Sequence, residues 1–188
     1  MDYLEQEPAV DAKRVAVMGH SRLGKTSLWA AAGTNGSHSS SRTTPARAAH
    51  RWSGGDSAKR FITRYSVSMV PYWYCARYRR YAWHEADLPV DAHMLIALIA
   101  PRPVYLARAT KDLWADPRGE FLAAKRAEPV YQLLGRAGLG VEAMPPADPP
   151  VGDFIGYHAR TSEHDVTACD RYRSQSQDAT SCSLVRAW

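Results

Sequence analysis

The chain has 188 residues, 45% of them hydrophobic and 23% charged, enough for one globular domain with a core of its own. No run of about 18 apolar residues occurs, which excludes a membrane-spanning helix. The formal charge is +5, but Arg is scattered along the chain, so the basic balance reads as a solvated surface and not as a nucleic-acid site.

Met1–Glu7 reads as the end of a helix closed by Pro8. This N-terminus is acidic and has no apolar h-region, so no secretion signal is read there, and the compartment stays open. Arg14–Met18 is predicted to be a buried strand running into Gly19, and Lys25–Ala32 the helix after the turn. From Asn35 to Lys59 the chain turns to Ser, Arg, Thr, Ala and Gly with almost no large aliphatic residue, and shows no period. Such a stretch cannot bury enough surface to order itself; an irregular insert over 35–64 is expected.

The aromatic stretch Pro71–Tyr81 reads as core packing with basic groups pointing outward, Trp73 being a residue that could line a cleft. Asp91–Ile99 predicts a short buried helix stopped by Pro101, and Val104–Ala109 a second strand. Pro117 and Gly119 open an amphipathic helix that Pro129 should kink or split. The proline-rich link Pro145–Pro150 leads to a last strand at Phe154–Tyr157. The tail after Asp170 is polar and patternless, so 171–188 is expected to be unstructured. The three cysteines, Cys75, Cys169 and Cys182, suit neither a disulfide framework nor a zinc site.

Alternating strands and helices mean an α/β fold with a parallel sheet. A parallel sheet needs both faces covered, and the chain begins almost at its first strand. It therefore reads as the C-terminal half of a larger domain, with residues 1–170 as the partial domain.

The turn Gly19-His20-Ser21-Arg22-Leu23-Gly24-Lys25-Thr26 carries the chemistry. It matches G-x-x-x-x-G-K-[ST], in which amides cradle phosphates, Lys25 reaches the β/γ oxygens and Thr26 holds magnesium. A P-loop nucleotide-binding protein using Gly19, Lys25 and Thr26 is one reading. It lacks a clean acidic residue ending an apolar strand: Arg108 and Lys111 interrupt the approach to Asp112. The other reading is a nucleophile elbow, where Ser21 is lifted out of a sharp strand-to-helix turn. A serine hydrolase of that kind needs an acid after a later strand and then a histidine, in that order. Asp112 after Val104–Ala109 and His164 in Thr161–Asp165 supply it. The second glycine of G-x-S-x-G comes one residue late here.

These residues, with Leu88–His93, Ile99–Pro103, Asp112–Phe121 and Gly156–Arg160, resemble the bacterial branch of the glucuronoyl esterases, carbohydrate esterase family 15. The resemblance covers Met1–Ala32 and Pro71–Asp170. It implies an α/β-hydrolase fold, truncated here, no cofactor and no metal. The activity implied is hydrolysis of the ester between 4-O-methyl-glucuronic acid side chains of xylan and alcohols of lignin. Family members are usually secreted or periplasmic. Carried over, Ser21 is the nucleophile and His164 the base. Arg22 helps stabilise the oxyanion, Lys25 binds sugar hydroxyls, and Trp114 contacts the uronate or its neighbour. The acid is Asp112, with Asp116 as the fallback, although Asp116 before Pro117 also suits a helix cap. His158 is the alternative base; His20 reads as a turn residue, and His93 as a buried, hydrogen-bonded one. Family members are longer, and 35–59 has the composition of a chain read in a shifted frame. A truncated, frame-damaged product, and with it a catalytically inactive fragment of the family, is the alternative to an active esterase.

Overall fold

A computed structural model describes residues 2–11, 15–33, 72, 75–81, 84, 87, 89–167 and 170. The insert 35–64, Trp73 and the tail 171–188 lie outside the described residues. The elements, in chain order, are α1 (Asp2–Gln6), α2 (Arg22–Gly33), α3 (Ala76–Arg79), α4 (Ala92–Ala97), β1 (Val104–Ala109), α5 (Pro117–Leu133) and β2 (Ile155–Arg160), with a short 3-10 turn at Leu113–Ala115 between β1 and α5.

The strands β1 and β2 pair in parallel, from Val104 opposite Ile155 to Ala109 opposite Arg160. Every residue of β2 is buried, and all of β1 except Tyr105. Burial on both faces is what a parallel pair covered by helices requires. The last strand is longer than its apolar run suggested. It continues through His158, Ala159 and Arg160, because partners distant in the chain meet their polar groups, Tyr105 for His158 and Asp170 for Arg160.

Residues 15–18 belong to no described ladder. Their exposure alternates, with Val15 and Val17 half-buried and Ala16 and Met18 exposed, and Val17 packs against the core. A strand is defined by its neighbours, and none of the described strands pairs with this segment.

The helix α5 packs across β1, β2 and α4, and α4 in turn meets α2. Asp116 caps α5 by accepting from the Gly119 amide at 3.0 Å, and Pro117 occupies the first turn, where its missing N–H costs nothing. The helix runs as one element through Pro129. Pro129 itself is exposed, while Phe121, Ala124, Ala127 and Tyr131 on either side of it are buried; their packing holds the two halves in line. The helix ends at Gly135, φ +70, with Arg136 N donating to Tyr131 O and Gly135 N to Gln132 O, a Schellman closure that needs a left-handed residue.

Leu28, Ile96, Ile99, Val104, Leu106, Phe121, Tyr131, Ile155 and Tyr157 form the core. Phe121 meets Tyr157 edge-on at 5.4 Å, and the two buried phenols reach backbone carbonyls, Tyr131 that of Arg102 and Tyr157 that of Pro117. Burial pushes both phenols well above the usual tyrosine range. Arg102 donates to Ala31 O at 2.5 Å, tying the last turn of α2 to the α4–β1 connection. The described part of the aromatic stretch stays out of this core. Tyr72 is exposed, Tyr78 and Tyr81 are half-buried, and α3 buries nothing, since four residues are too few to present an apolar face.

Candidate active site

Two parallel strands that end side by side place their following loops in contact, and ligands of α/β sheets bind at that carboxyl edge. Thr110 N donates to Arg160 O and Lys111 N to Ser162 O, so the pairing continues past the strands. Asp112, three residues after the end of β1, thereby faces His164, four residues after the end of β2. The His164 Nδ1 to Asp112 Oδ2 distance is 2.6 Å. An ionised carboxylate only accepts, so this contact puts the ring proton on Nδ1 and leaves Nε2 as the basic nitrogen.

The third component comes from a separate element. Ser21 has φ 57, a left-handed conformation that costs a non-glycine residue about 1–2 kcal/mol. The strain belongs to the turn. Helix α2 starts at the next residue, Arg22, and its first turn lies so close that a Cβ on Gly19 would collide with the Leu23 carbonyl. Ser21, His20, Asp112 and His164 line one open cleft whose floor includes Arg108 and Arg160. The imidazole of His20 stands against that of His164, centroids 4.5 Å apart.

Beneath the cleft lie two buried cations. Arg108 pairs with Glu120 of α5, both almost fully buried. Arg160 pairs with Asp170 at 3.2 Å. Asp170 also lies 3.2 Å from His158 Nε2 and accepts from Thr167 N at 2.7 Å. Burial alone would raise the Asp170 pKa; the His158 hydrogen bond, the Thr167 contacts and the Arg160 charge overcome it and hold the carboxyl below its usual range.

The structure thus brings Ser21, Asp112 and His164 to one cleft. Asp116, the other acid considered, is occupied as the cap of α5. His158, the other base considered, is buried in β2 between Tyr105 Oη at 2.7 Å and Asp170. Arg22 is exposed at the start of α2 and Lys25 half-buried one turn on, and neither is among the residues lining the cleft. Trp114 sits on the 3-10 turn directly after Asp112. His93 is half-buried at the start of α4, 3.8 Å from Asp91. Sequence reasoning missed the contact of His20 with His164 and the work of Arg160. No local signal singles out Arg160, which follows the polar His158 beyond the apolar run of the strand.

The phosphate-loop reading fails on geometry. That loop needs the amides between Gly19 and Lys25 turned toward an anion. Here Leu23 N donates to His20 O at 3.0 Å and Gly24 N to Ser21 O at 3.3 Å, because the helix has already begun. Among the described residues no group of three or more His, Cys, Asp or Glu could hold a metal ion, and no helix is long and apolar enough to cross a membrane.

Comparison with known proteins identifies the family. A family model described as glucuronyl esterase of fungi matches residues 1–135. Carbohydrate esterase MZ0003, from an unknown prokaryotic organism, is 47% identical over 175 residues, covering 90% of this chain and 39% of that protein. A 4-O-methyl-glucuronoyl methylesterase of Phanerochaete carnosa is 29% identical over 148 residues, covering 72% and 35%. Among solved structures, a glucuronoyl esterase from Solibacter usitatus superposes with TM-score 0.77 at 39% identity, covering 93% of this chain and 44% of that one. A promiscuous family 15 carbohydrate esterase from a marine bacterial metagenome gives TM-score 0.78 at 43% identity, again with 93% and 44% covered. The chain therefore spans less than half the length of these relatives, and the bacterial structures are nearer in sequence than the fungal enzyme. With an α/β-hydrolase fold and a family model matched over most of its length, the chain belongs to the glucuronoyl esterases.

Proposed function

We propose that this chain carries the nucleophile, base and acid of a serine carboxylic-ester hydrolase acting on uronate esters. Residues 1–170 contribute to its hydrolase domain. The observation that carries the reading is the His164–Asp112 contact of 2.6 Å, in the cleft that also holds the strained Ser21.

The chemistry follows from the geometry. With Nδ1–H bound to Asp112, His164 Nε2 takes the proton of Ser21 as the hydroxyl attacks the ester carbonyl. The oxyanion forms beside the start of α2, where the amide of the residue after the nucleophile, Arg22, is the donor this fold supplies. One such donor is worth about 2.7–4 kcal/mol. The guanidinium of Arg22 adds a full positive charge. His164 then protonates the leaving alcohol, and water, deprotonated by the same ring, releases the acid. Lys25 and Trp114, on the elements that flank the nucleophile and the acid, are assigned to the sugar. The substrate is a glucuronoyl ester, and the finer reading is the 4-O-methyl-glucuronoyl ester joining xylan to lignin alcohols. Its support is the family and the name of the Phanerochaete relative.

The test is hydrolysis of a benzyl glucuronate ester by the purified chain. Saturable turnover that Ser21→Ala lowers by about 10³-fold or more supports the reading. Turnover indifferent to Ser21→Ala overturns it, and no turnover from a chain that unfolds cooperatively overturns it and leaves the inactive fragment.

A further inference from the structure

We infer that Arg160 is the positioning residue of the base: it fixes the loop that presents His164. The inference deepens the esterase reading and rests on it. Arg160 closes β2, and its side chain is buried. Its Nη2 donates to Glu163 O at 3.4 Å and to Asp165 O, the carbonyls on either side of His164. Its Nη1 donates to Arg108 O at 3.4 Å, on β1, and to Asp170 Oδ1 at 3.2 Å. One guanidinium thus joins both strands, the two residues flanking the base, and a buried carboxylate beyond the loop.

The planar fork of arginine suits this task, because its donors leave in fixed directions and can serve several acceptors at once. The loop needs such a tie. The His164 ring is partly exposed, and both of its neighbours, Glu163 and Asp165, are exposed. Asp170 offsets the cation and also draws in His158 and the Thr167 amide, so the clamp is anchored from behind. Arg160 touches no reacting atom. It acts on catalysis by setting where the imidazole stands.

The experiment compares wild type with Arg160→Lys and Asp170→Asn. Lysine keeps the charge opposite Asp170 and loses the fork. Two readouts are taken: kcat and KM on benzyl glucuronate, and the far-downfield proton resonance of the His164 Nδ1–Asp112 hydrogen bond. For Arg160→Lys the expected result is kcat at least about 10-fold lower, KM within about twofold, and a broadened or absent resonance. Asp170→Asn gives a smaller loss in the same direction. Ser21→Ala keeps the resonance. Should Arg160→Lys not fold, Asp170→Asn decides. Wild-type kcat together with a sharp resonance in the folded variants overturns the inference. A wild-type chain that shows the resonance but hydrolyses no ester overturns the esterase reading instead, and the resonance in the variants still tests the clamp.

Discussion

His20 and His164 face each other with ring centroids 4.5 Å apart and planes inclined by 31°. Two imidazoles at that distance cannot both be charged without repulsion. Burial, then the charges of His164, Arg160 and Arg108, lower the pKa of His20 from its ordinary 6.5, against a weaker opposing pull from Asp165. The sign follows by linkage. A histidine with a lowered native pKa binds fewer protons folded than unfolded, so stability is held above the unfolded value and lost as pH falls below it. His20→Gln should therefore flatten the decline in stability on the acid side of about pH 6.5, measured by urea unfolding at a series of pH values. An unchanged acid-side slope would contradict this account.

The two candidate acids, Asp112 and Asp116, separate by experiment. Asp112→Asn keeps the shape of the contact but favours the wrong tautomer of His164, a change that lowers kcat by about 10⁴ in a serine-protease triad. A loss of at least about 10²-fold with little change in unfolding midpoint is expected. Asp116→Asn should leave kcat within a fewfold, because asparagine caps as well and tolerates φ 52. Asp116→Ala should cost about 1–2 kcal/mol of stability by chemical denaturation.

Ser21 trades stability for exposure of its hydroxyl. Ser21→Gly removes the penalty of φ 57 and should raise stability by about 1 kcal/mol, or about 2–4 °C in Tm for a chain of this size. Ser21→Ala should give no such gain. Both abolish hydrolysis. Equal melting temperatures for the two variants would show that the turn is not strained.

Arg108 and Glu120 form a buried pair below the cleft. Breaking such a pair by removing one partner costs about 3–5 kcal/mol, whereas replacing both by apolar residues is often neutral. Glu120→Leu alone should be strongly destabilising and Arg108→Met with Glu120→Leu much less so, as read from a double-mutant cycle in urea.

The parts of the fold that local pattern controls were legible in the sequence. The boundaries of β1, the start of α5 and the order Ser21, Asp112, His164 follow from apolar runs, proline at the first helical turn and turn chemistry. What was misread depends on partners distant in the chain. The last strand was expected to stop at Tyr157 because His158 and Arg160 are polar, and their partners are Tyr105, Arg108 and Asp170. Val15–Met18 has strand composition, yet its pairing lies beyond local pattern. Pro129 suggested a break that buried neighbours on both sides prevent. The stacking of His20 on His164 joins residues 20 and 164, and no periodicity encodes a contact over that span.

The register of Ala109 against Arg160 has an evolutionary corollary. Asp112 and His164 sit just past adjacent strand ends and pair with each other, while Ser21 arrives on a separate turn before α2. Insertions between α2 and β1 can lengthen the chain without touching the Asp112–His164 contact. The intolerant stretches are the two short spacers, Ala109 to Asp112 and Arg160 to His164. Removing a single residue from either would turn one member of the pair away from the other.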